Sequence, residues 1–171
     1  ADLPTLWQSL AGNGDPMLRD VLLQLRLPRA LAAFGTGASL ALAGAMMQVL
    51  LRNPLADPYI LGTSGGAAVA ALLAMLLGCS SLLIDAAAFG GALGSTLLVF
   101  TLARSGSDRA PGRLLLTGVV VAAGWGAAIS LMLALAPDRN LRGMLFWLMG
   151  DFSFASRAAP PLVIALATVV I

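Results

Sequence analysis

Five stretches of the chain carry no charged residue: 30–51, 58–84, 86–103, 114–137 and 158–171. Short breaks rich in Arg, Asp, Pro and Gly separate them. About 20 consecutive apolar residues take a helix across a hydrocarbon core about 30 Å thick. The first four stretches meet that requirement, the third only just, and the fifth reaches Ile171 after 14 residues. The pattern predicts an all-α, polytopic transmembrane bundle with four complete spans and the start of a fifth. Loops 52–57, 104–113 and 138–157 connect these spans. Because the chain stops inside an apolar run, it reads as part of a longer polypeptide.

The first 29 residues differ in kind. "DLPTLWQSL" and "DPMLRDVLLQLRLPR" both open on helix-start signals, and "AGNGD" breaks the chain between them. Both are too short and too charged to span. Two short helices along the membrane surface are expected, with Trp7 as an interfacial anchor. A basic start followed by an apolar core is absent, so this is no signal peptide.

Composition sharpens the membrane reading. Hydrophobic residues make up 59% of the 171 and charged residues 11%, against about 25% charged in soluble domains. All ten basic residues are Arg and all eight acids are Asp; Lys, Glu and His do not occur. Without Lys there is no Walker A phosphate loop. Without His or Glu, and with the single Cys79, no zinc site of the usual ligand kinds can be assembled. Cys79 has no partner for an intrachain disulfide and reads as a small packing residue. A net charge of +2 gives no footprint for nucleic acid.

No charge lies inside the four complete spans. Ion-coupled transporters and proton pumps place Asp, Glu, His or Arg there as relays, and an enzyme would need an acid, a base or an activated nucleophile at depth. Neither class fits. Any transport through these helices draws its energy from another subunit. Small residues recur at helical spacing, Gly62 with Gly66, Gly90 with Gly94 and Ala122 with Gly126, which predicts close helix packing at those faces.

The break "RNPLADP", residues 52–58, reads as a tight turn at a membrane face. Pro54 forces Asn53 out of helical geometry and ends the first span. Asp57 can cap the next helix, with Pro58 at its first position.

That turn also belongs to a recognisable series. "RLPR" precedes the first span, and Gly44, Ala45 and Gln48 form "GAxxQ" near its end. "NPLADP" and "LGTSGGA" follow, then "GRLLLTGV" at 112–119 and "LRGMLFWLMGDFS" at 141–153. In this order and spacing the segments resemble the membrane permease subunits of bacterial type II ABC importers for iron–siderophore complexes, haem and cobalamin. The resemblance runs from about Leu6 to the end. It implies one permease domain that works as a dimer, homodimeric in the simplest case. Two cytoplasmic ATPase subunits hydrolyse the ATP, and a soluble periplasmic or surface binding protein delivers the substrate. The expected location is the inner, cytoplasmic membrane, in contact with lipid. No enzymatic activity, cofactor, metal or nucleic-acid partner is implied.

The family's topology puts "RLPR" outside and "RNPLADP" inside. Arginine counting favours the reverse, with six on the side of the N-terminal segment and four on the other. The family arrangement is the expectation adopted here. By resemblance, Arg26 and Arg29 match positions that pair with acidic residues of the docked binding protein, a contact that orients and captures. Asn53, Pro54 and Leu55 match a turn that closes the cytoplasmic end of the pathway, and Pro111 and Gly112 match a second closing element. There the sequence departs from many relatives, with "APGR" in place of small hydroxyl residues. The helix 114–136 resembles the one beside the translocation path, with Thr117, Ser130 and Met132 as candidates to face it. The competing class is a structural or accessory membrane-helix protein that moves nothing.

Overall fold

A computed structural model describes residues 16–104 and 111–150, and all regular structure among them is helical. The chain divides into two units within the first helix, one reaching Ala43 and the other covering Gly44–Gly150.

Helix α1 runs continuously over Pro16–Leu51, 36 residues, and includes a π-helical turn at Val21–Arg26. The surface helix expected over 15–29 is therefore not separate: from Pro16 onward it is the beginning of α1. The π turn accounts for this. Pro28 lacks an N–H, and in a regular helix its ring would press on the carbonyl of Gln24. The wider turn, in which the Leu27 N–H reaches the Leu22 carbonyl, carries the helix past the proline. The expected helix near Trp7 and the stretch 158–171 lie outside the described residues.

A 3-10 turn at Pro58–Leu61 leads into α2, Thr63–Leu76. Helices α3 (Ser81–Arg104), α4 (Pro111–Leu135) and α5 (Asp138–Met149) follow. Among the described residues, three helices are long and apolar enough to cross a membrane: α1, α3 and α4. The charge-free stretch 58–84 is divided instead of forming one long helix. Its α2 has 14 residues, which rise about 21 Å at about 1.5 Å each, short of a core about 30 Å thick. Two left-handed glycines set its limits, Gly62 at φ +66° and Gly78 at φ +71°. Hydropathy counts side chains and does not register such backbone stops. The chain restarts at Ser81, so α3 takes in Asp85 and extends beyond the predicted 86–103. Likewise, 138–157 is not loop throughout, since α5 occupies its first part.

In the second unit α2 is the element packed on most sides, touching α3, α4 and α5. It buries Gly66, Ala68, Ala71, Leu72 and Ala74. A second cluster at the end of the unit joins Met47, Leu51, Ala56, Leu61 and Val99, with Phe100, Leu114, Leu115 and Val121 against it. The outer faces stay apolar: Leu116, Val119, Val120 and Leu131 of α4 are all exposed. In water that surface would drive aggregation, whereas lipid tails are as apolar as leucine and solvate it.

Candidate functional site

The turn between α1 and the 3-10 helix is built from the backbone upward. α1 ends in a Schellman motif: the Asn53 N–H reaches the Gln48 carbonyl at 3.1 Å, and the Arg52 N–H reaches that of Val49 at 3.3 Å. Arg52 sits at φ +48°, the left-handed region where glycine is usual, and it alone among the described non-glycine residues has positive φ. The Asn53 Oδ1 accepts the Leu55 N–H at 2.9 Å, an Asx-turn. Ala56 N–H then bonds the Asn53 carbonyl at 3.1 Å. Asp57 Oδ1 accepts the Tyr59 N–H at 2.8 Å, capping the 3-10 turn with Pro58 behind it. The cap and the proline position are those the sequence predicts.

Ala56 and Leu61 are buried in the end cluster, while Pro54 is exposed and Leu55 is 86% exposed at the tip. Pro111 and Gly112 begin α4, and Leu114 and Leu115 just after them pack on the same cluster as Leu51 and Ala56. The structure thus brings both expected closing segments to one end of the unit. Arg26 and Arg29 are exposed on α1, one helical turn apart.

The remaining candidates divide. By the helical period, Thr117 and Met132 lie with Gly118, Val121 and Trp125 on the side of α4 turned toward α2, and both are half-buried. Ser130 lies on the opposite, exposed face, its hydroxyl donating to the Gly126 carbonyl at 3.0 Å. The three therefore do not share a face. Gly66 is tightly packed, since a Cβ there would lie 2.5 Å from the Gly91 carbonyl oxygen and 2.5 Å from the Ser95 Cβ, whereas Gly62 stands in the left-handed turn before α2 and not on a helix face with it. Gly90 and Gly94 point elsewhere, with nothing within 4 Å among the described residues. The small-residue face that meets α2 is Gly91 with Ser95, one residue out of register.

Sequence reasoning missed a junction at the start of α2. Trp125 Nε1 donates to Ser95 Oγ at 2.8 Å, and Ser95 Oγ–H donates to the Gly62 carbonyl at 2.8 Å. Ser95 is 1% exposed. Two signals were present: a serine four residues after Gly91, and a tryptophan in mid-span, away from the interfaces where that residue usually sits.

The same architecture recurs in known proteins. The FecCD transport family model matches residues 1–171. The chain belongs to the FecCD transport family. It is 40% identical over 171 residues to a vitamin B12 import system permease protein, BtuC, of Yersinia enterocolitica, covering 98% of this chain and 49% of that protein. It is 38% identical over 148 residues to YvrB, an uncharacterized ABC transporter permease protein of Bacillus subtilis, covering 83% and 42%. A solved structure described as an inward-facing conformation of a metal-chelate type ABC transporter superposes with a TM-score of 0.80 at 31% identity, covering 91% of this chain and 49% of that one. The chain spans about half the length of the relatives it matches. Within the FecCD family it is an all-α, multi-pass protein of the inner membrane.

Proposed function

We propose that this chain forms part of the membrane-spanning subunit of an ATP-driven importer, passing cobalamin, haem or an iron chelate to the cytoplasm by alternating access. Similarity over 98% of the chain to a vitamin B12 import permease is the observation that supports this most, and it puts cobalamin first among the substrates. ATP is hydrolysed by separate subunits on the cytoplasmic face, and a second permease subunit, taken as identical, completes the pathway. A soluble binding protein docks outside, where Arg26 and Arg29 meet its acidic residues. The turn Asn53–Pro54–Leu55, with Pro111 and Gly112 beside it at one end of the unit, closes the cytoplasmic end of the path. A loop bonded at nearly every residue suits that task, because a closing element must hold its shape when it moves. The path runs along α4. Ser130 lies on its open face and is the candidate best placed to line it, since Thr117 and Met132 lie on the side turned toward α2.

Proteoliposomes holding the full-length permease subunit and its ATPase, supplied with ATP and binding proteins loaded with each candidate, test the reading. Cobalamin uptake is expected, and Arg26→Glu/Arg29→Glu should abolish it until the binding protein's acidic partners are reversed. Absence of ATP-dependent uptake of all three substrate classes would refute the importer reading.

A further inference from the structure

The junction of Trp125, Ser95 and Gly62 contains every polar side chain that is fully buried among the described residues, since Ser95 alone is buried in that class. It sits where α2, α3 and α4 meet, at the single residue that joins the 3-10 turn to α2. Its hydrogen bonds run in one direction. The indole N–H, a donor only, donates to the serine oxygen, and the serine O–H in turn donates to the Gly62 carbonyl. That carbonyl also accepts the Gly66 N–H at 3.0 Å, so both of its lone pairs are engaged.

Gly62 is enclosed from three sides. A Cβ there would lie 3.1 Å from Ser95 Oγ, 3.4 Å from Trp125 Cδ1 and 3.5 Å from Val121 Cγ1. Two residues earlier the Ile60 carbonyl lies so close to Gly118 of α4 that any Cβ on Gly118 would collide with it. From Ile60 to Gly62 the backbone is thus held by α3 and α4 through hydrogen bonds and contact, in an apolar setting where an unmade hydrogen bond is expensive.

We infer that Ser95 and Trp125 are positioning residues for the closing turn. They tie the 3-10 turn and the segment before it to α3 and α4, so that the Asn53–Leu55 loop moves with those helices when the pathway opens. This rests on the reading of that loop as a gate, but its physical content, the mechanical tie, is measurable without transport. The two bonds can be removed in two steps. Trp125→Phe keeps an aromatic ring and leaves the Ser95–Gly62 bond in place. Ser95→Ala removes both bonds at once.

The test is spin-label mobility in the protein reconstituted in lipid nanodiscs. The label is placed at Tyr59→Cys, on the exposed side of the 3-10 turn, and as a reference at Leu82→Cys, at the far end of α3, with Cys79 replaced by Ala. Both Trp125→Phe and Ser95→Ala should shift the spectrum at position 59 toward faster motion and leave position 82 unchanged. Adding Trp125→Phe to Ser95→Ala should produce no further shift. A general loss of structure would move both labels together, and that result overturns the inference, as does an unchanged spectrum at 59 in Trp125→Phe. Where Ser95→Ala fails to accumulate, Trp125→Phe decides alone. Uptake is scored separately in unlabelled variants. Faster motion at 59 with uptake intact leaves the tie standing and removes the gate reading.

Discussion

The two connections that flank α2 begin with the same device and then diverge. Leu77–Ser80 repeats the Schellman bonds of the other end: Cys79 N–H to the Ala74 carbonyl at 3.0 Å and Gly78 N–H to that of Met75 at 3.1 Å. Its left-handed residue is glycine, it has open space around it, and the next helix starts almost at once. The connection from Leu51 to Gly62 puts arginine in that conformation and then adds an Asx-turn, an aspartate cap, a 3-10 turn, two buried side chains and an enclosed glycine. One connection reverses the chain and does nothing more. The other is specified at almost every residue, as the closing role proposed for Asn53–Leu55 would require.

The largest break in this contrast comes from the glycines that allow the enclosed side to pack. Gly91→Ala would press a methyl group on the Gly66 carbonyl and lie 2.6 Å from the Ala70 Cβ. Overpacking of this kind costs about 1–3 kcal/mol, and both partners are backbone or a short side chain with little room to yield. Gly90→Ala, one position earlier and facing nothing within 4 Å among the described residues, should instead raise stability by about 0.5–1 kcal/mol through helix propensity. Thermal unfolding in detergent, run side by side, reads the difference. Equal behaviour of the two variants would mean that the α2–α3 register is misassigned.

Gly78→Ala comes next. At φ +71° an L-residue is strained by about 1–2 kcal/mol, with no packing term because the site is open. A melting temperature unchanged by this substitution would show that the connection at Gly78 relaxes to a different stop. On the opposite side of α2, Asp57→Ala removes the cap on the Tyr59 N–H and should cost about 1 kcal/mol. Asp57→Asn should recover most of that stability, since the amide oxygen accepts the same bond. Failure of Asn to recover it would point to the charge of Asp57 and not to its cap.

What was legible follows from which physics each signal carries. The all-helical membrane class, the turn at 52–58, its cap and its proline position were readable because charge spacing, Asp-Pro and Asn-Pro report directly on solvent and on local backbone. The division of 58–84 was not. Gly62 and Gly78 are left-handed and the other glycines of that stretch are not, and nothing in the residue names separates a left-handed stop from a packing glycine. Register was lost for a similar reason: "FGGALGS" holds Gly90–Gly94 and Gly91–Ser95 as equal small-residue pairs, and only the neighbour's position chooses between them. Ser95 and Trp125 are 30 residues apart, and their bond forms only where α3 and α4 meet at the start of α2.

Arg52→Gly sharpens the comparison at its smallest step. Glycine at φ +48° relieves a strain of about 1–2 kcal/mol, but it also adds unfolded-state freedom worth about 0.4–1 kcal/mol. The net expectation is a gain of about 0.5–1 kcal/mol, the difference between those two terms, making the stop after α1 as relaxed as the one at Gly78. The exposed guanidinium has no part in that sum. A higher melting temperature with reduced uptake would place the side chain of Arg52 in the working of the gate and explain why arginine stands where glycine folds better. A lower melting temperature would mean that the arginine itself secures the turn, and the contrast between the two connections would then lie in their side chains from the first residue.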